Sequence, residues 1–210
     1  MQVLPYCILL ANPTLELPVH GVQDFEIQII AADRLMALYS EIENNRLSAQ
    51  TFQKDALAFH NVVHGVFAST AVIPFRFPTS LSLTELTGHL RKESERYERF
   101  LNIHAEHVQM ELRLAAPAPA LADRPLRSGT EHLRGRALRQ RRLGDAADEL
   151  RQLLSAEALE WRERDTPEGV RLFALVRRDR VPGFRERLGE SGPELSVRWS
   201  GPWPATEFLS

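Results

Sequence analysis

The chain has 210 residues, 43% of them hydrophobic, and a chain of this size buries roughly 70% of its unfolded surface, so one or two domains with real cores are expected. With 28 acidic against 26 basic residues the formal net charge is −2, so no global field draws the protein to nucleic acid or to an anionic membrane. A single cysteine excludes an intrachain disulfide framework and points to a reducing compartment; no uncharged run approaches the roughly 18–20 residues of a bilayer span, and Met1-Gln2-Val3-Leu4-Pro5 lacks the basic start of a signal peptide, so a cytoplasmic protein is expected.

Residues 3–10 are nearly all apolar, as in a strand covered on both faces, and they enclose Cys7, which reads as a buried, inert thiol. Residues 24–30 alternate, with Phe25, Ile27 and Ile29 opposite Asp24, Glu26 and Gln28, which predicts a half-buried strand. Residues 34–42 fit strand or helix. Residues 48–67 read as a helix, because Phe52, Ala56, Phe59, Val63 and Phe67 recur at spacings of three and four. Residues 71–77 follow as a strand with Ile73, Phe75 and Phe77 on one face. Pro74 cannot donate to a ladder, so that strand belongs at an edge or carries a bulge.

Ser82-Leu83-Thr84-Glu85 fits a capping box opening a second helix, with Leu83, Leu86, Leu90, Tyr97 and Leu101 as its apolar stripe. Residues 107–114 alternate Val108, Met110, Leu112 and Leu114 against Gln109, Glu111 and Arg113, as a strand. A Pro/Ala-rich loop spans 115–129. A long charged helix is expected over 130–163, its stripe made by Leu150, Leu154, Ala158 and Trp161. Residues 170–177 make a strand, 182–188 a short helix, and Leu195, Val197 and Trp199 a last strand. The sum is an α+β fold in two domains with mostly antiparallel sheets: an N-terminal α+β domain over 1–104 and a C-terminal ferredoxin-like domain over 105–210 that contains the Pro/Ala loop.

His60 and His64 lie one helical turn apart, and His104 and His107 form a second close pair, the spacing a four-histidine metal enzyme would use. The simpler reading is the stronger one: His60 and His64 flank an apolar stripe, and the other two straddle a helix end and a strand start. Arg134, Arg136, Arg139, Arg141 and Arg142 form a basic cluster of the kind that grips phosphates. However, Asp145, Asp148, Glu149, Glu157, Glu160 and Glu163 follow it, and no aromatic side chain interleaves it as a base-stacking platform. There is no Gly-rich phosphate loop, no nucleophile elbow and no H-E-x-x-H pattern, so no catalytic residue, cofactor or metal is assigned, and neither nucleic acid nor membrane is expected as a partner.

In Trp199-Ser200-Gly201-Pro202-Trp203-Pro204 two prolines fix φ and remove two backbone donors, so the strand is expected to stop and Trp203 to sit on a stiff arm with Phe208 as an anchor. The arm is either a strap packed on its own sheet or an aromatic docking point for a partner.

These residues resemble a known family. Ser200-Gly201-Pro202-Trp203-Pro204, followed by Phe208, is similar to the C-terminal signature of the gas vesicle synthesis protein GvpL/GvpF family. Ala71-Val72-Ile73-Pro74-Phe75-Arg76-Phe77-Pro78-Thr79 resembles its VLP-x-R-F-G-T block, and residues 101–108 its L-x-G-x-x-E-x-x-V block. Ser128-Gly129-Thr130-Glu131-His132-Leu133 falls on its S-G-x-x-Y-L block, and Leu175-Val176 on a late strand. Pro78 stands where Gly is usual, His132 where Tyr is common, and Ala205-Thr206-Glu207 replaces a Pro-Tyr. The resemblance implies a two-domain α+β fold with a ferredoxin-like C-terminal unit. It also implies a non-enzymatic accessory or minor structural role in gas vesicle assembly, with the hydrophobic shell protein and other accessory proteins as partners, in the cytoplasm and at the gas vesicle. Arg76, Trp203 and Phe208 are its partner-binding candidates.

Overall fold

The computed structural model describes residues 2–12, 14–42, 51–115, 129–167, 169–189 and 196–209. The chain divides into two compact units, Met1–Glu106 and His107–Ser210.

In the first unit β1 (Gln2–Leu10) runs through the centre of an antiparallel sheet. β3 (Leu35–Ile42) lies on one side of it, with β2 (Gln28–Ala32) beyond; the two-residue strands β4 (Ile73–Pro74) and β5 (Leu81–Ser82) pair with its other side. Residues 3–9 are buried without a break, the pattern of a strand covered on both faces. The ambiguous segment 34–42 is a strand, since it completes the ladder to β1 along its whole length.

Three local expectations shift. The strand expected over 24–30 starts at Gln28, because Val22–Asp24 coils into a 3-10 turn with Gln23 and Asp24 at φ 54° and 64°. The buried Tyr6 hydroxyl draws that turn inward by accepting the Val22 N–H at 3.0 Å. Ile29 consequently sits on an edge strand with half its surface exposed. The strand expected over 71–77 shrinks to Ile73–Pro74, an edge position of the kind proline tolerates. The helix expected from Ser82 is two, α2 (Leu83–Lys92) and α3 (Ser94–Ile103), separated at Glu93 by backbone angles of −100° and 5°. Its capping box forms: Ser82 Oγ accepts the Glu85 N–H at 3.2 Å, and Glu85 accepts the Ser82 N–H at 2.7 Å.

α1 (Phe52–Ser69) buries Phe59, Val62, Val63, Val66 and Phe67. That stripe is rotated from the expected one, so Phe52 stays half exposed. The proposed start of this helix over 48–50 lies outside the described residues.

The second unit holds β6 (His107–Ala115), α4 (Gly129–Leu153), β7 (Ala158–Thr166), β8 (Gly169–Arg177), α5 (Val181–Gly189) and β9 (Ser196–Trp203). All strand pairs are antiparallel, in the order β7-β8-β6-β9. The expected Pro/Ala loop falls, over 116–128, outside the described residues. The helix expected to reach 163 ends at Leu153, and residues 158–166 form a strand. Leu143, Ala146, Ala147, Leu150 and Leu154 already complete a buried helical stripe. Beyond the turn, Trp161, Glu163 and Asp165 share one face and Glu160, Arg162 and Arg164 the other, paired residue by residue with β8. Ala158 and Trp161 continued the helical spacing by coincidence; the hairpin ladder overrides it.

One face of this sheet carries Val108, Met110, Leu112 and Leu114 opposite Val176, Ala174, Leu172 and Val170, all buried. α4 packs on β6 and β8 on this side and reaches β7 through an Arg151–Glu163 pair and Gln140–Asp165 at 3.3 Å. α5 stands on the same side, with Arg185 5.2 Å over the Trp199 ring. The opposite face has no α-helix of this unit on it among the described residues, and carries instead the short 3-10 turn Thr206–Phe208.

Candidate functional site

The helix-free face of the second unit is where the C-terminal tail lies. β9 does not stop before the prolines: it pairs with β6 as far as Trp203 opposite Gln109, with a register shift between Gln109 and Glu111 that absorbs the extra residues. This is an edge strand with a bulge, which accommodates Pro202, and Gly201 at φ 122° supplies a backbone turn that a side chain disfavours. A Cβ at Gly201 would stand 2.9 Å from the Gln109 carbonyl oxygen.

After Pro204 the chain folds back over the sheet. Glu207 donates its backbone N–H to Gln109 Oε1 at 3.0 Å, and its carboxylate meets Arg164 at 2.7 Å. Phe208 is 5% exposed, under the Arg162 guanidinium at 5.8 Å. Ala205 is buried beside it in sequence. Trp203 donates its indole N–H to Ser200 Oγ at 3.1 Å, and Ser200 in turn reaches Glu111 at 3.5 Å. The tail is therefore a strap held to its own sheet. Phe208 lies beneath it, while Trp203 remains partly exposed at its start.

The strap covers polar groups that the alternating pattern placed in solvent. Gln109 and Glu111 are both buried. Each has its partners: Gln109 the strap, Glu111 the Arg113 guanidinium at 2.8 Å and Arg171 at 3.6 Å. Sequence reasoning missed these two and Arg164. The only signal was that the polar residues of 107–114 alternate in step with Arg162 and Arg164, visible once 158–166 is read as a strand.

Arg76, in the first unit, is exposed on the link between β4 and β5. Its carbonyl accepts the Thr79 N–H at 2.7 Å, closing a turn around the cis Phe77–Pro78 peptide. Next to it, Phe77 stands 5.3 Å from both Phe52 and Phe59, and Phe59 is 5.2 Å from Tyr6. The aromatic run thus leads from the buried core out to the half-exposed Phe52.

The histidines are dispersed. His60 and His64 sit exposed on α1 with ring centroids 5.7 Å apart, and His104 is buried against Phe100 at 4.6 Å. Among the described residues, no group of three or more His, Cys, Asp or Glu is placed to hold a metal ion. Of the basic cluster on α4, Arg134, Arg139, Arg141 and Arg142 lie exposed along the helix. Among the described residues no helix is long and apolar enough to cross a membrane. Burial pushes the Cys7 thiol up to about 12, far from the range of a reactive thiolate.

The sequence pattern of the gas vesicle synthesis protein GvpL/GvpF family matches residues 3–210. Two crystal structures of gas vesicle protein GvpF are similar in fold. For the protein from Anabaena sp. PCC7120 the TM-score is 0.77 at 15% identity, covering 100% of this chain and 96% of that one. For the protein from Microcystis aeruginosa it is 0.74 at 15% identity, covering 100% and 99%. No curated protein matches the sequence.

Proposed function

This chain belongs to the gas vesicle synthesis protein GvpL/GvpF family, and from that premise we propose that it is a non-enzymatic accessory or minor structural protein of gas vesicle assembly that binds the hydrophobic shell protein. The observation that carries the reading is the family match over residues 3–210. The physical rationale is that a shell subunit with an apolar face needs a soluble partner before it polymerises. The first unit offers two features suited to such binding. One is an edge strand, β2, with Ile29 exposed; the other is the half-exposed Phe52 at the end of the aromatic run beside Arg76. Trp203, partly exposed where the strap begins, is the candidate contact on the second unit. The protein works in the cytoplasm and at the gas vesicle, together with other accessory proteins.

The test is co-expression with a tagged shell subunit, reading the soluble shell fraction and the co-purified chain. The expected result is a rise in soluble shell protein with the chain bound, weakened by Arg76→Ala or Trp203→Ala. A shell subunit that stays insoluble and unassociated at every expression ratio overturns the reading.

A further inference from the structure

The strand register of the second unit sets four arginines in a line. Arg164 of β7 stands opposite Arg171 of β8, Arg171 opposite Arg113 of β6, and Arg113 opposite Arg198 of β9. The row crosses the whole helix-free face, and at about 4.8 Å between strands it is roughly 14 Å long. Like charges directly opposite one another weaken a sheet, so such a row is a local cost to folding.

Ion pairs among the described residues answer part of that charge. Glu111 serves Arg113 and Arg171 from below, and Glu207 of the strap serves Arg164. Among the described residues, the ion pairs to the row come from the carboxylates of Glu111 and Glu207, and Arg198 has no ion-pair partner there. The row is open to solvent: the Arg113, Arg164 and Arg171 side chains are 55%, 59% and 38% exposed, and Arg198 is exposed at the edge. Arg164 also stacks 5.6 Å over the buried Phe173 ring, which restrains its plane.

The geometry points to this row as a docking surface for an acidic segment of a partner protein. Guanidiniums fixed in a line by a sheet present paired N–H donors that match carboxylates, and fixing them in advance lowers the ordering cost of binding. The chain itself shows the recognition: the anion seated on Arg164 is a carboxylate of a peptide segment laid over the sheet. Of the aromatic rings at this face, Phe173 and Phe208 are buried under the arginines, and the partly exposed Trp203 stands opposite Gln109, beyond the row, with its indole N–H spent on Ser200, so the row itself is not interleaved with exposed rings on which bases could stack. This surface uses charge and none of the apolar contacts of β2 and Phe52 proposed above for the shell protein.

Fluorescence anisotropy of a labelled oligoglutamate peptide, titrated with the full chain at low salt, tests the assignment. Binding that weakens as salt rises is expected, with Arg198→Glu reducing affinity about tenfold and Arg198→Gln about threefold. Arg139→Glu on α4 serves as a control and leaves binding unchanged. Circular dichroism checks that both Arg198 variants keep the fold; the milder Arg198→Gln carries the test should the reversal not. The assignment is overturned by no binding at low salt, by variants at Arg198 that bind like the parent, or by a labelled DNA duplex of equal charge that binds as tightly as the peptide.

Discussion

Replacing Phe208 by alanine tests whether the C-terminal strap is part of the folded second unit. The ring is 5% exposed, and its neighbours are the Arg162 guanidinium and the sheet face that carries Phe173 and Leu175, both also buried. Truncating a fully buried phenylalanine inside a core costs about 3–5 kcal/mol, because a cavity adds to the lost transfer free energy. Phe208 lies near a chain end, where the strap can peel away and leave no cavity, so only the transfer part of about 2–3 kcal/mol is expected. All three tryptophans, Trp161, Trp199 and Trp203, lie in the second unit, so tryptophan emission during urea unfolding follows that unit alone. With a slope of about 1–3 kcal/mol per molar, the midpoint falls by roughly 1–2 M. Glu207→Gln, which breaks an exposed pair with Arg164, lowers stability by less than about 1 kcal/mol. A Phe208→Ala loss below about 1 kcal/mol refutes the strap as a structural element.

Tyr6→Phe strands the fully buried Ser40 hydroxyl and the Val22 N–H, both bonded to the Tyr6 oxygen at 3.0 Å, and lowers stability by about 2 kcal/mol. Circular dichroism in urea measures it, and an unchanged midpoint refutes the role. Cys7 makes two measurable claims. In the native protein at pH 8 it alkylates about 100-fold slower or more than in denaturant; comparable rates would show that the strand opens readily. Its folded value of about 12 lies above the unfolded value near 9, so the neutral thiol's contribution is intact below pH 9 and declines as pH rises toward 12. Cys7→Ala therefore flattens the alkaline branch of the stability curve, and a curve parallel to the parent's contradicts the burial argument. Gly201→Ala places a methyl group 2.9 Å from the Gln109 carbonyl oxygen at a positive φ; it costs more than about 1 kcal/mol by tryptophan emission, and a smaller change means the bulge is loosely held.

The parts of the fold legible in the sequence were those where burial itself writes the pattern. Residues 3–9 read as a doubly covered strand because every side chain is apolar, and Ser82 marked a helix start because its cap is local chemistry. The failures have a common cause in distant partners. Val22 is held in a turn by the hydroxyl of Tyr6, sixteen positions away, so the alternation that followed it was displaced along the chain. Residues 158–166 carry charges that suit an exposed helix, and only the ladder to β8 makes them a strand; no local pattern encodes that partner.

The site shows the same division more sharply. Pro202 and Pro204 mark a terminus that departs from regular pairing, but they do not stop the strand, which runs on to Trp203, nor say which way the chain turns after it. It turns inward because Gln109 offers an amide oxygen to Glu207, Arg164 offers a guanidinium to the same residue, and the Arg162 guanidinium covers the buried Phe208 ring, on the face where β8 carries Phe173. Those residues belong to three other strands. The arginine row is less legible still, since Arg113, Arg164, Arg171 and Arg198 come one from each of four separate strands and none stands out in composition. The cluster that does stand out lies along one helix, where Arg134, Arg139, Arg141 and Arg142 are exposed and their charge is readily solvated. Charge concentrated in sequence and charge concentrated in space are different properties, and here only the sheet register produces the second.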